Sequence, residues 1–261
     1  MVPILILAAI TTGQLLTADP VPGAPFYTAD SITNTASAAS GSYAPNTFIT
    51  ITGQNLAYVT RVITASDVTA NRLPTALVGT GVRVLINALS AYVWSVSPTQ
   101  VTVLIPSFWT PGPVAVQLEL NGIAGPEVQM MLNATAPGLF SYPGGTTVIA
   151  QHMDYSAITA DAPAQDGELI VLYAGGLGPT SPASDQIPQA PAELADKNNF
   201  YVLLDGLPVD PSLIEYVGVT PAYAGLYWIN LRLPIGVSPQ PEIRISTADA
   251  ISPGQRYLVL Q

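Results

Sequence analysis

Val101–Pro106 (VTVLIP) and Ile229–Pro234 (INLRLP) are two short stretches with one pattern, and the fold follows from reading them together. Each carries an aliphatic side chain at every second position: Val101, Val103 and Ile105 in the first, Ile229, Leu231 and Leu233 in the second. A period of two puts three such side chains on one face of an extended strand. The proline that follows has no N–H to give a ladder, so each strand stops there.

Outward from these stretches the same alternation recurs, and helical periodicity does not. Thr47–Gly53 (TFITITG) places Ile49 and Ile51 on one face, and Val82–Asn87 (VRVLIN) does so with Val82, Val84 and Ile86. Val114–Leu120 (VAVQLEL) runs into Asn121-Gly122, a two-residue hairpin signal, with Val128–Leu132 as the return strand. The order then repeats. Glu168–Tyr173 leads into Gly175-Gly176-Leu177-Gly178, Phe200–Asp205 matches Val82–Asn87, Glu242–Ser246 matches the Val114 strand, and Tyr257–Leu260 closes the chain. The offset between pairs drifts over about 118–128 residues, near the ~100 residues of an Ig-like unit.

The sequence therefore predicts an all-β chain of two tandem Ig-like β-sandwich domains, the first over 30–135 and the second over 136–261. The boundary falls where Ala136-Pro137-Gly138 breaks the pattern. Each half carries a long turn-rich insertion at the same place, Tyr58–Gly81 and Pro179–Asn199. Uninterrupted loops of that length are uncommon unless functional, so both are candidate binding loops. Residues 19–29 read as a proline-rich linker. Residues 1–18 hold an apolar, uncharged stretch with the length of a signal-peptide core, short of the ~20 residues of a membrane span. Met1-Val2 ahead of it lacks Lys and Arg. Three readings stand: an atypical signal, a start further upstream, or a retained strand-like segment.

Composition excludes several classes of partner. Hydrophobic residues make up 49% of the chain and charged residues only 9%, against about 25% charged in average soluble domains. Such a chain folds rather than staying disordered. Seven Lys and Arg against 17 Asp and Glu, for a net charge of −10, leave no basic stripe for phosphate. An anionic membrane surface repels the chain for the same reason. Without cysteine and with one histidine, the usual zinc ligand set cannot be assembled.

Several motifs together resemble one uncharacterised family. They are Ala136-Pro137-Gly138-Leu139-Phe140, Tyr173–Pro179 (YAGGLGP), Leu73-Pro74-Thr75-Ala76-Leu77, Ser97-Pro98-Thr99-Gln100 ahead of a strand ending at Pro106, and Gly225-Leu226-Tyr227 ahead of one ending at Pro234. The chain is similar over about residues 30–261 to the Solibacter-type C-terminal domain of secreted Acidobacteria proteins, itself similar to the IPT/TIG group of Ig-like folds. The resemblance implies a secreted or cell-surface setting and no established activity. The chain departs from the family's pattern at Pro143–Asp154, where the second unit starts irregularly, and in carrying little ahead of the module.

Candidate chemistry is sparse. His152 has Asp154 and Ser156 nearby, but alternate residues of a strand do not make a triad, and no G-x-S-x-G elbow occurs. It reads as an exposed or turn histidine. Asp161, Asp166 and Glu168 cluster ahead of a strand and are the one candidate calcium site, although their spacing matches no EF-hand loop. No other cofactor is expected. The glycine run before Pro179 lacks the Lys-Ser/Thr of a phosphate loop and reads as strand-end turns.

The aromatic residues Trp109, Phe108, Trp94, Tyr223 and Trp228 are the candidate ligand contacts, against the alternative that they pack between sheets. Trp109, followed by Thr110-Pro111-Gly112, is the indole expected to be most exposed.

Three functions compete. The first is a non-catalytic structural or interaction module at the cell surface, which self-associates because few charges guard its sheet edges. The second is carbohydrate binding through exposed aromatics and the long loops. The third is a hydrolase using Asp166 and Glu168, for which only the presence of carboxylates speaks.

Overall fold

The computed structural model describes residues 23–183 and 187–261; the apolar 1–18 segment and the first residues of the 19–29 stretch lie outside them. Apart from short 3-10 turns, the regular structure of the described residues is strand, almost all of it antiparallel. In the first half, one sheet runs in the order Ile32–Asn34, Phe48–Thr52, Gln100–Leu104, Tyr92–Val96, Arg61–Val62. The facing sheet runs Val128–Leu132, Gly112–Leu120, Val82–Ile86, Leu89–Ser90. The alternation read from the sequence points inward: Ile49, Ile51, Val82, Val84, Ile86, Val101 and Val103 form one buried core between these sheets. Asn121 (φ +50°) and Gly122 (φ +79°) make the turn into Ile123–Ala124, as a two-residue hairpin loop requires.

The second half repeats this topology. Gly138–Leu139, Leu169–Gly175, Tyr227–Arg232, Ile214–Val219 and Ala192–Leu194 follow one another across a sheet in the order of the first. Leu207–Pro208, Tyr201–Leu204 and Ile243–Ser246 make its partner. A second core of Ile170, Leu172, Val202, Ile229, Leu231 and Ile245 lies between them. Even the irregularities correspond. The register slips by one residue between Val93 and Ser95 opposite Val103 and Thr102, and again between Ile214 and Tyr216 opposite Leu231 and Asn230. These are bulges at matching points of the two halves. The extra residue is Trp94 in one and Glu215 in the other, where Glu215 Oε1 takes Nε and Nη2 of Arg232 at 3.0 and 2.5 Å.

The structure corrects three sequence expectations. The two insertions are not open loops. Arg61–Val62 in the first adds a short edge strand, and in the second Ala192–Leu194 and then Thr180–Ser181 extend the sheet, each too brief to show periodicity. The insertions also meet, with Ile187 N donating to Asn71 O at 3.2 Å. The Tyr257–Leu260 segment is extended but forms only isolated bridges, to Thr147 and Glu242 at one end and Ala164 at the other. Leu258 N and Leu260 N donate to Pro241 O and Pro239 O, and those prolines have no N–H to return the bond. Finally, the proline-rich stretch gives part of itself to the first sandwich. Tyr27 is 2% exposed, donates its hydroxyl to Pro126 O at 2.6 Å and accepts from Leu118 N at 2.7 Å.

Alternation fails instructively in one place. Phe48 and Leu104, cross-strand partners on the outer face of the first sheet, are 1% and 0% exposed. What covers them comes from the second half: Ala224 and Ile187 join Phe48, Leu73, Leu104, Trp94 and Tyr92 in one cluster. Gly225 sits so close that a Cβ there would stand 2.5 Å from Leu104 Cδ1. A neighbouring cluster packs Ala36 against Phe140, Tyr173 and Leu226. Thr135 and Thr247 hydroxyls meet at 2.7 Å, and Arg256 Nη2 donates to Ser37 O at 3.1 Å. The two sandwiches are joined along an apolar seam stitched by polar contacts.

Candidate functional site

At one end of this seam the walls part into a cleft of about 320 Å³. Asn46, Trp109 and Pro111 of the first half face Gly178, Pro179 and Thr180 of the second, with Ala134 of the connecting segment between them. Among the described residues no charged side chain lines it. Beneath it, Asn46 holds a left-handed backbone (φ +59°) and donates from Nδ2 to Tyr227 Oη at 3.2 Å. The Tyr227 hydroxyl in turn donates to Gly178 O. Burial pushes the Tyr227 phenol up to about 12, with the Asn46 bond working against that rise. The phenol therefore stays neutral and keeps its proton for Gly178 at ordinary pH.

The five aromatic candidates do not share one patch. Trp109 is half-buried against the end of the first core, and the exposed member of its turn is Phe108, at 55%. Like Trp94 and Trp228, Trp109 is half-buried rather than open to solvent: the indole is laid over the core and Phe108 packs on it, ring centroids 5.4 Å apart. Burying the larger ring removes more apolar surface from water. Trp94, the bulge residue, lies edge-on to Phe48 at 5.4 Å within the seam. Trp228 and Tyr223 pack on the outer side of the Tyr173 cluster, Trp228 edge-on to Tyr173 at 5.6 Å and to Tyr155 at 6.2 Å. All three indole N–H groups are buried and find no hydrogen-bond partner among the described residues. Their rings are placed by packing, not by a polar anchor.

Of the polar candidates, all but Asp161 are tied into local structure by side-chain hydrogen bonds. Asp166 Oδ2 accepts from Gly236 N at 2.7 Å, and Glu168 Oε2 from Gln165 N at 2.8 Å. Glu168 Oε1 meets His152 Nδ1. Among the described residues no group of three or more His, Cys, Asp or Glu side chains is arranged to hold a metal ion. Ser156 Oγ donates to Asp154 Oδ1 at 2.6 Å, while His152 turns its ring to Glu168 and to Ala162 O. The imidazole therefore does not engage that serine. The His152–Glu168 pair itself escaped sequence reading, because the partners are 16 residues apart and two turns intervene.

The first-half topology and this seam set the frame for comparison with known proteins. Residues 31–142 match the IPT/TIG domain. That span holds the first sandwich and the opening bridge of the second. No curated protein matches the chain. Among solved structures it is similar to SGBP-B of the Bacteroides ovatus mixed-linkage glucan utilization locus, in complex with a mixed-linkage heptasaccharide (11% identity, TM-score 0.34, 94% of this chain and 47% of that one). It is also similar to the gamma-CGTase of alkalophilic Bacillus clarkii (8%, TM-score 0.29, 91% and 26%). A third likeness is to domains 5-6 of the S-layer protein SbsC (8%, TM-score 0.27, 90% and 98%). The chain spans about half the length of the first of these structures and about a quarter of the second. No helix among the described residues is long and apolar enough to cross a membrane.

Proposed function

We propose that this chain is an exported, non-catalytic structural or interaction module, with Ig-like domains at 30–135 and 136–261 held in one fixed arrangement, of the Solibacter type. The apolar seam supports this reading best, because a flexible linker would leave Phe48 and Leu104 open to water. The module meets partners, second copies of itself included, through its open sheet edges. Leu89–Ser90 and Val128–Leu132 are edge strands without a single charge, with Leu89 and Met131 exposed. Edges without charge lack the usual barrier to strand pairing. Light scattering over a wide concentration range is expected to show mass rising with concentration. A strict monomer throughout contradicts the self-associating part of the reading.

A second reading, carbohydrate recognition, is favoured by the cleft beside Trp109. Its described lining pairs an indole with hydroxyl and amide groups and holds no charged side chain, which suits a neutral sugar ring that needs apolar stacking and hydrogen bonds together. Soluble neutral polysaccharides titrated against the protein are expected to change the tryptophan emission, and Trp109→Ala to abolish both the signal and retention on the polysaccharide. Retention unchanged in Trp109→Ala would remove the cleft from consideration.

A further inference from the structure

His152, the only histidine of the chain, ends the Ala150–His152 strand at the point where the chain makes an excursion over Met153–Asp161 before returning to the sheet. The excursion doubles back on itself: His152 N donates to Ser156 O at 3.0 Å, and Ile158 N to Ala150 O at 3.0 Å. Tyr155 stands at its tip with φ +67°, 46% exposed, its ring 6.2 Å from Trp228. A second turn, Thr159–Ala162, follows, and Ala164 then pairs with the C-terminal segment through Val259 O at 3.0 Å and Gln261 N at 2.8 Å.

The His152 ring lies where these pieces converge, with 21% of its side chain exposed. Both of its nitrogens face acceptors. Nδ1 meets the Glu168 carboxylate, and Nε2 stands 3.3 Å from Ala162 O. A carboxylate and a carbonyl have no proton to offer, and a neutral imidazole has only one N–H. The observed arrangement is satisfied at both ends only by the imidazolium.

We propose that His152 is a pH-operated latch, an imidazolium that ties the Met153–Asp161 excursion and the Thr159–Ala162 turn to the start of the Leu169–Gly175 strand, and releases the turn when the ring loses its proton. Deprotonation sets the Nε2 lone pair against the Ala162 oxygen, while Nδ1 keeps its N–H for Glu168. The charges around the ring favour the latched form. Glu168 and, on the ring's own element, Asp154 are both anionic neighbours, and each raises the imidazole above its ordinary 6.5, the Glu168 bond most of all and burial opposing. Asp161, in the Thr159–Ala162 turn, is not among the groups that shift the ring. The cation of the adjoining strand, Arg232, is held by Glu215 and Gly167 O and does not offset them.

The sign follows. The folded-state value is raised, so the latch contributes its full stability below about 6.5, the ordinary value for histidine. That contribution is lost as pH rises through the folded-state value.

A single histidine makes the test direct, because one imidazole signal titrates in the proton NMR spectrum of the whole chain. The ring is expected to titrate above 6.5, and Glu168→Gln to move the midpoint back toward 6.5. Backbone 15N order parameters of Tyr155, Thr159 and Ala162 are expected to fall as pH crosses the wild-type midpoint. A ring titrating at or below 6.5, or order parameters that stay flat across the titration, overturns the proposal. Should Glu168→Gln not fold, the wild-type titration and relaxation data decide by themselves.

Discussion

Phe48→Ala is expected to lower the stability of the chain by about 3–5 kcal/mol, the usual cost of truncating a fully buried aromatic. The ring is 1% exposed and sits against Leu104 across the ladder, edge-on to Trp94 with centroids 5.4 Å apart at 77°. An edge-to-face pair adds about 0.5–1.5 kcal/mol beyond its area. On its far side lies Gly225, where even a Cβ would stand 3.1 Å from Phe48 Cε2. The space vacated by the ring lies between two separate sandwiches, so neither core can relax into it without moving the other. The loss should therefore show a second signature. Urea unfolding followed by tryptophan fluorescence is expected to be one transition in the wild type and two in Phe48→Ala. Phe108→Ala is the control: at 55% exposed, it should change stability by no more than about 0.5 kcal/mol. A Phe48→Ala protein that unfolds in one unshifted transition would mean that the seam carries little energy.

Gly176→Ala is expected to be comparably damaging through the backbone. Gly176 holds φ +72°, and a Cβ there would stand 2.1 Å from Ala136 O and 2.7 Å from Ala136 C. The left-handed conformation alone costs a non-glycine residue about 1–2 kcal/mol. The clash adds to it, because Ala136 is pinned from both sides: its N–H donates to Gly176 O at 2.8 Å, and its carbonyl accepts from Asn34 Nδ2 at 2.9 Å. A total of about 3 kcal/mol or more is expected, since a backbone oxygen cannot rotate away as a side chain would. Gly122→Ala separates the two effects. Gly122 has φ +79° with nothing within 4 Å of the added Cβ, so it should cost only the conformational share, about 1–2 kcal/mol. Equal losses at the two positions would show that the segment joining the sandwiches is loose.

The two mutations fall where sequence reading is weakest. Period-two alternation identified the inward residues of most strands, from Val82, Val84 and Ile86 to Ile229, Leu231 and Leu233, because each strand has one face on its own core. Alternation also marks Phe48 and Leu104 as outward, and locally they are. Their cover arrives from Ala224 and Ile187, in the other half of the chain, and no local pattern carries that information. Trp94 escaped for a different reason. A bulge breaks the alternation at that residue and turns its ring onto the seam. The same bulge in the second half presents Glu215 to Arg232 at the surface, so identical backbone geometry serves packing in one half and an ion pair in the other. The candidate site was legible only in part. The sequence marked Trp109 and Pro179 separately, yet the cleft exists because the seam brings them together.

The central claim is that the two sandwiches form one rigid body through this seam. Residual dipolar couplings measured on the weakly aligned chain test it most directly. Couplings from residues 30–135 and from 136–261 are expected to fit a single alignment tensor, and those of Phe48→Ala to need two. Two different tensors for the wild-type halves would contradict the account.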